Sequence, residues 1–320
     1  NVEDYLDRCL QSLRNQTYKH CIVVTVNDGS TDGCPEKCDN YAKEYENFVC
    51  IHKPNGGLSD ARNAGLNYCF EQKNHKDAYV TFVDADDFLR ENCIEECVKI
   101  CEANSCQLIQ CDYERGSMAE FSSNCIAANT RIFSSEQALL GYDLKSQSCA
   151  KLYLLSLFEN ERFPVGVWNE DEFMTYKIAF KCNKIAITNA KLYYYYQRQS
   201  SIMSDIAQRL KDNKHRDDWF SAYMEREKFF QKKGKHQLVL KTYEKICTDI
   251  ILRYTEQLSI NKKFRIEGTY LKNYLKTYRK YYAKAIKKKS MPLLRREMYT
   301  LFYIFPYSSV VASKFRILRK

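Results

Sequence analysis

An α/β fold with a largely parallel, doubly wound sheet and a helical C-terminal region is what this sequence predicts. Short β-branched runs alternate with helical-period segments through the first third of the chain, the pattern of a parallel sheet flanked by helices. After about Asp205 only the helical period remains, carried by Tyr, Leu and Ile among many Lys. The loops that follow the early strands are the acidic and glycine-rich ones, and open α/β sheets bind ligands at that edge. A chain of 320 residues and 37.8 kDa can bury one large core or two modest ones. With only 10 Gly and 5 Pro but 25 Tyr and 17 Phe, it has the apolar surface to do so, which excludes a disordered class.

The elements follow in order. Val2, Tyr5, Leu6, Cys9, Leu10 and Leu13 recur at helical spacing, and Cys21 to Val26 is a strand closed by Asn27-Asp28-Gly29-Ser30. Pro35 opens a helix through Tyr45, because proline suits the first helical turn. Phe48 to His52 reads as a strand, Pro54-Asn55-Gly56-Gly57 breaks the chain, and a helix runs around Ala61 to Phe70. Tyr79 to Val83 is a strand that ends in Asp84-Ala85-Asp86-Asp87. Ile94, Cys97, Val98 and Cys101 mark the next helix, and Gln107 to Asp112 the next strand. Ser134 with Gln137 forms a capping box. Ala150 to Phe158 is apolar, Glu170 to Lys181 is a helix with Phe173, Tyr176 and Phe180 inward, and Lys191 to Arg198 is a strand. The domains expected are residues 1–204, split into a ligand-binding part over 1–112 and a second-substrate part over 113–204, and a helical region over 205–320. Because Asn1 leads directly into a helix, the strand expected ahead of it is missing from this sequence.

Charge is uneven. From Asn261 to Lys320 there are 17 Lys and Arg against 2 Glu, a net +15; the whole chain carries +10, so residues 1–260 carry −5. A basic tail behind a mildly acidic body points to an anionic surface met by one end rather than to nucleic acid. Met298 to Ser313 is 16 uncharged residues, too short to span a bilayer. Leu301-Phe302-Tyr303-Ile304-Phe305, between Arg295-Arg296 and the basic residues 314–320, has the aromatic anchors and cationic flanks of an interfacial segment. The fifteen Cys lack paired Cys-x-x-Cys spacing, which favours reduced thiols. Cys93, Cys97 and Cys101 share one helical face, and with no His nearby they read as core.

The acidic strand end is the strongest chemical signal. Asp84 and Asp86 place hard oxygen ligands one residue apart, as a Mg²⁺ or Mn²⁺ ion that holds a phosphate requires. Three loops converge on that edge: residues 27–33 with Asp28, residues 55–65 with Gly57 and Arg62, and residues 84–87. This set resembles the family 2 inverting glycosyltransferases of the GT-A fold, and Arg162-Phe163-Pro164, Glu170-Asp171-Glu172-Phe173 and residues 196–203 resemble the acceptor-side motifs of their bacterial surface-polysaccharide members. The resemblance covers about residues 1–205, with only a loose match beyond.

It implies a nucleotide-diphosphate sugar donor, UDP by default, a lipid-linked glycan acceptor, and a Mn²⁺ or Mg²⁺ cofactor. By the same resemblance Asp86 is the metal ligand, Asp84 touches the ribose or the ion, and Asp28 reads the base. Gly57 and Arg62 contact the nucleotide or its phosphates. Asp171 is the base that deprotonates the acceptor hydroxyl, a role for one carboxylate, whereas hydrolases pair two acids around the bond. Glu170 supports it, and Trp168 stacks on a sugar or joins the core. Gln197 and Arg198 reach donor phosphate or acceptor, and Asp87 caps the next helix. The cytoplasmic face of the cell membrane is the implied location. An aspartyl phosphatase is disfavoured because Asp87 follows the motif where a small hydroxyl residue or glycine is needed. A catalytically silent nucleotide-sugar-binding scaffold is the remaining alternative.

Overall fold

The computed structural model describes residues 1–72, 77–118, 120–121, 129–141, 143–198, 215, 217–259, 268–287 and 291–309. The chain forms two compact units, Asn1–Ser201 and Ile202–Lys320. In the first unit the order is α1 (Glu3–Arg14), β1 (Val23–Asp28), α2 (Cys34–Glu44), β2 (Phe48–Lys53), α3 (Leu58–Glu71), β3 (Tyr79–Thr81), β4 (Phe88–Leu89) and α4 (Cys93–Asn104). Then come β5 (Leu108–Gly116), β6 (Thr130–Ser134), α5 (Ser135–Leu140), β7 (Lys151–Leu154), a 3₁₀ turn (Leu155–Phe158), α6 (Glu170–Lys181) and β8 (Lys184–Tyr196).

The α/β class holds, but the sheet is mixed rather than mostly parallel. β1 and β2 form a parallel pair. A second sheet runs β3-β7-β5-β8-β4, with β6 also on β8. There β5 and β8 are parallel, whereas β3–β7, β5–β7, β4–β8 and β6–β8 are antiparallel. The antiparallel pairs come from β7, which runs against β3 and β5, and from β8, which runs parallel to β5 but against β4 and β6. β8 also starts at Lys184, well before the expected Lys191. Its inward positions Ile185, Ala186, Leu192 and Tyr193 are almost wholly buried, and Cys182 ends α6 just ahead of it.

Each local feature has its cause in the sequence. Ser134 caps α5 in a reciprocal box with Gln137, as its spacing predicts. Gly29 adopts φ +68°, and a Cβ there would lie 2.8 Å from the Asn55 nitrogen, so only glycine lets the β1 loop close on the next one. α6 buries Phe173 and Tyr176 as expected, together with Met174, Ile178 and Ala179, while Phe180 is only half-buried. The core beneath the site packs Phe82, Tyr153, Phe158 and Phe163, with rings edge-to-face at 5.3–6.0 Å centroid separation for Phe82 and its neighbours. All fourteen cysteines among the described residues are free thiols.

The second unit is helical: α7 (Asp218–Lys232), α8 (His236–Ser259), α9 (Gly268–Ala285) and α10 (Leu293–Ile304). Trp219, Tyr278, Tyr281, Tyr299 and Phe302 fill its core, and the buried Glu244 carboxylate pairs with Arg295 at 2.7 Å. Among the described residues no helix is long and apolar enough to cross a membrane. The expected anchor segment is only partly exposed. Phe302 packs against Tyr254 and Tyr278 and is a core residue, whereas Leu301, Ile304, Phe305 and Tyr307 face outward. Residues 314–320 lie outside the described residues.

Candidate active site

One guanidinium organises the acidic edge of the first unit. Arg62, in the first turns of α3, donates to Glu170 Oε1 at 2.7 Å, to Asp171 Oδ1 at 3.1 Å and to Asp84 Oδ1 at 3.1 Å. Its side chain is 7% exposed, and its guanidinium lies 5.3 Å from the Phe163 ring, so the three carboxylates meet over an apolar floor. Burial disfavours the Arg62 charge, but Asp84, Asp171 and Glu170 together raise its pKa far above the usual value. A group expected on the nucleotide is therefore the hub that joins the end of β3 to the start of α6.

The sequence prepares both partners of that hub. Asn169 adopts the left-handed conformation (φ 59°) and sets Glu170, Asp171 and Glu172 into the first turn of α6, where the helix dipole favours anions. Burial raises the pKa of both Glu170 and Asp171, with the neighbouring carboxylates adding to it and Arg62 opposing it. Ser148 donates its hydroxyl to Asp171 Oδ1, and the buried Lys151 ammonium lowers the Asp171 pKa further. On the other side, the 84–87 turn is closed by Asp87 N donating to Asp84 O at 2.9 Å, and Arg8 Nη2 on α1 donates to Asp86 O at 3.1 Å.

Asp86 faces the end of β8. Its Oδ2 lies 2.9 Å from Arg198 Nε. Burial raises the Asp86 pKa and the charge of Asp84 adds to it, against Arg198. Asp87 does not cap a helix; Asn92 precedes α4, and Asp87 is 1% exposed. Its Oδ2 accepts from Tyr193 OH at 2.5 Å and its Oδ1 from Tyr196 N at 2.8 Å, and burial pushes its pKa up to about 8. The side chain of the residue after the acidic pair thus turns inward to tie β8 to the turn, which the acid-rich spacing does not reveal.

Asp28 sits at the β1 end and clasps the next loop. It accepts from Lys53 Nζ at 2.5 Å, Gly56 N at 2.9 Å and Gly57 N at 2.7 Å. Burial raises its pKa, but these bonds outweigh it and hold the carboxyl below its ordinary value. Gly57, at φ +84° with open space around its Cα, ends that loop and begins α3. Asn63 exchanges two 2.8 Å bonds with the Phe163 backbone, which pins the loop carrying half-buried Trp168. Gln197 is exposed, and its backbone N–H donates to Gly116 O at 2.7 Å.

Asp84, Asp86, Arg62, Glu170, Asp171 and Arg198 are therefore brought to one edge by two ion-pair networks, and Asp28 and Gly57 form a neighbouring clasp. Ser148, Lys151, Asn63, Arg8 and Lys53 were not legible as site residues. Ser148 lies 23 positions before Asp171 in a stretch without a motif, so only the fold joins them.

Residues 1–143 match the model of glycosyl transferase family 2. Over these residues the chain is similar to family 2 glycosyltransferases. It is 34% identical over 221 residues to the glycosyltransferase GlyA of Streptococcus pneumoniae, a match covering 63% of this chain and 30% of that protein. It is 26% identical over 274 residues to the minor teichoic acid biosynthesis protein GgaB of Bacillus subtilis, covering 83% of this chain and 27% of GgaB. The chain thus spans less than a third of the length of these two relatives. The structure of S. aureus TarS 1-349 in complex with UDP-GlcNAc superposes with a TM-score of 0.66 at 16% identity, over 98% of this chain and 88% of the other. The mannosyltransferase PcManGT of Pyrobaculum calidifontis, in complex with GDP-Man and Mn²⁺, gives 0.53 at 16% identity, over 99% and 84%. The chain shares the GT-A fold of these structures.

Proposed function

We propose that the chain is an inverting glycosyltransferase that moves a hexose or N-acetylhexosamine from a UDP-sugar to a hydroxyl of a lipid-linked or growing surface polysaccharide. The observation that carries the reading is that Asp84 Oδ1 and Asp171 Oδ1 each lie 3.1 Å from the same Arg62 guanidinium. A strand-end acid suited to the donor and a helix-start acid suited to the acceptor thus face one small volume. The UDP-GlcNAc bound to TarS supports the donor class, and the teichoic acid biosynthesis in which GgaB takes part supports a cell-surface polymer as acceptor.

The residues fit a divalent cation. Three carboxylates share Arg62, a fourth meets Arg198, and burial raises the pKa values of Asp86, Glu170 and Asp171, so the edge holds more buried negative charge than its own cations neutralise. Asp84 and Asp86 would hold Mn²⁺ or Mg²⁺, which when bound supplies charge neutralisation to the departing diphosphate. Mn²⁺ in PcManGT is consistent with this. Asp171 takes the proton of the acceptor hydroxyl as that oxygen attacks the anomeric carbon, and Ser148 and Arg62 hold its carboxylate in place. Glu170 shares the guanidinium and fixes its orientation. Arg198, released from Asp86, would pair with the donor phosphates, and Asp28 with Gly57 shapes the nucleoside loop. Asp171→Asn should lower turnover by roughly 10²–10⁴-fold while leaving donor affinity within a few fold; full turnover in that variant overturns the assignment.

The basic second unit suits a peripheral position on the inner face of the cell membrane. Exposed Leu293, Leu294, Leu301, Ile304, Phe305 and Tyr307 lie beside Arg295 and Arg296. A donor-binding scaffold without turnover is the second reading. The observation on its side is that Arg62 and Arg198 already occupy the carboxylates a substrate complex would need.

A further inference from the structure

A second cluster of metal-ligating side chains lies in the core, away from the carboxylate edge. Cys93 and Cys97 project from α4 one helical turn apart, and both thiols are buried. The third member is not Cys101, which shares their helical face, but Cys111 of β5, and the three sulfur atoms lie within 4.8 Å of one another. The ladder between β5 and β8 loses its register across Cys111, where the extra residues 188–190 lie on β8. Cys111 N donates to Ala150 O at 3.0 Å, which ties this residue to the chain entering β7.

Two further features mark this cluster out from packed core thiols. Cys93, Cys97 and Cys111 line a cavity of about 10 Å³ together with Lys151 and Tyr193, at the lower limit of room for one water. Lys151 is 2% exposed and donates to the Gln147 carbonyl oxygen, and the charge of Asp171 acts on it only from beyond ion-pair distance. A buried ammonium is costly without anionic compensation. We propose that Cys93, Cys97 and Cys111 form a structural zinc site, with a water in the small cavity as the fourth ligand.

The charge arithmetic and the distances agree. On binding, three S–H protons leave, the three thiolates and Zn²⁺ together carry one negative charge, and Lys151 cancels it, so the buried assembly is neutral. Cu⁺ in the same place would leave a net negative charge. Zinc–sulfur bonds of about 2.3 Å at tetrahedral angles bring sulfur atoms to roughly 3.8 Å, a contraction of about 1 Å from the widest separation allowed here and within reach of side-chain torsions. The Cys111 thiol donates to Ala150 O at 3.5 Å, a weak contact that metal binding would replace. Such a site would staple α4 to β5 and stiffen the sheet behind Asp171 without touching the reacting atoms. Nothing in this argument depends on the transferase reading.

The test is metal content and cobalt spectroscopy on the whole chain. The protein purified with Zn²⁺ and passed through chelating resin should retain about one zinc per chain, and Co²⁺ in its place should show an intense sulfur-to-cobalt charge-transfer band. Cys97→Ser and Cys111→Ser should each lose the zinc and the band, while Cys50→Ser, in the exposed group with Asp39 and His52, should keep both. A folded parent chain with less than about a tenth of an equivalent of zinc and no charge-transfer band overturns the proposal, and so does zinc retained by both variants or Cu⁺ alone being held. If the serine variants fail to fold, the cobalt spectrum of the parent decides.

Discussion

Replacing Arg62 by Met removes the one cation shared by three carboxylates and keeps most of the side chain's volume. Arg62 is 7% exposed, and its partners Glu170 and Asp171 are 12% and 21% exposed, so water cannot fully substitute for the lost charge. Removing one partner of a buried pair costs about 3–5 kcal/mol. For a unit of this size that corresponds to a fall in melting temperature of roughly 6–20 °C. The effect must also depend on pH. Without Arg62 the folded-state pKa values of Glu170 and Asp171, already raised by burial, move further up. A group whose folded pKa exceeds its unfolded value contributes stability that is fully present at low pH and is lost as pH rises through the folded pKa. The penalty of Arg62→Met should therefore be largest near pH 8 and shrink towards pH 5. Urea unfolding of both proteins, followed by near-ultraviolet signals, measures this. Arg62→Lys should recover only part of the loss, because one ammonium cannot reach three carboxylates in the plane of a guanidinium. A penalty below about 1 kcal/mol at pH 8, or one that does not change with pH, refutes the hub.

Ser148→Ala removes a hydrogen bond that stabilises the ionised Asp171. A bond to a charged group is worth about 1.5–3 kcal/mol, so the acidic limb of the kcat/KM profile should move up by about one pH unit or more; an unmoved limb contradicts it. Asp87→Asn tests the buried acid: with its folded pKa near about 8 against an unfolded value near ~3.9, Asp87 stabilises below pH ~4 and loses that contribution as pH rises through 8. The parent should lose stability relative to Asp87→Asn by up to ~1.4 kcal/mol per pH unit between pH 5 and 8, and parallel curves by denaturant unfolding sink the assignment. Ile304→Ser with Phe305→Ser should weaken partition onto phosphatidylserine vesicles by at least ~10-fold at unchanged fold; equal sedimentation with vesicles removes the membrane contact.

The fold was legible where the local period was strong and the turn chemistry specific. α2, α3, α6, the Ser134 box and the strands that end at Asp28 and near Asp84 follow from residues a few positions apart. The antiparallel returns of β7 and β6 were not, because pairing direction depends on connections that carry no turn motif. At the site, the acids announced themselves by spacing, but what each one touches did not. Arg62 meets Glu170 across 108 positions, Asp87 meets Tyr193 across 106, and Ser148 reaches Asp171 across 23. The cysteines show the same limit: helical spacing grouped Cys93 and Cys97 with Cys101, while the fold brings Cys111 of β5 to them instead.

Titration calorimetry of UDP, with and without Mn²⁺, on the parent chain and on Asp86→Ala tests the central claim most directly. The carboxylate edge built from Asp84 and Asp86 requires UDP binding that strengthens by at least about 10-fold with Mn²⁺ and loses that gain in Asp86→Ala. UDP affinity indifferent to Mn²⁺, or a gain fully kept by Asp86→Ala, would contradict the assignment of this edge as the metal-assisted donor site.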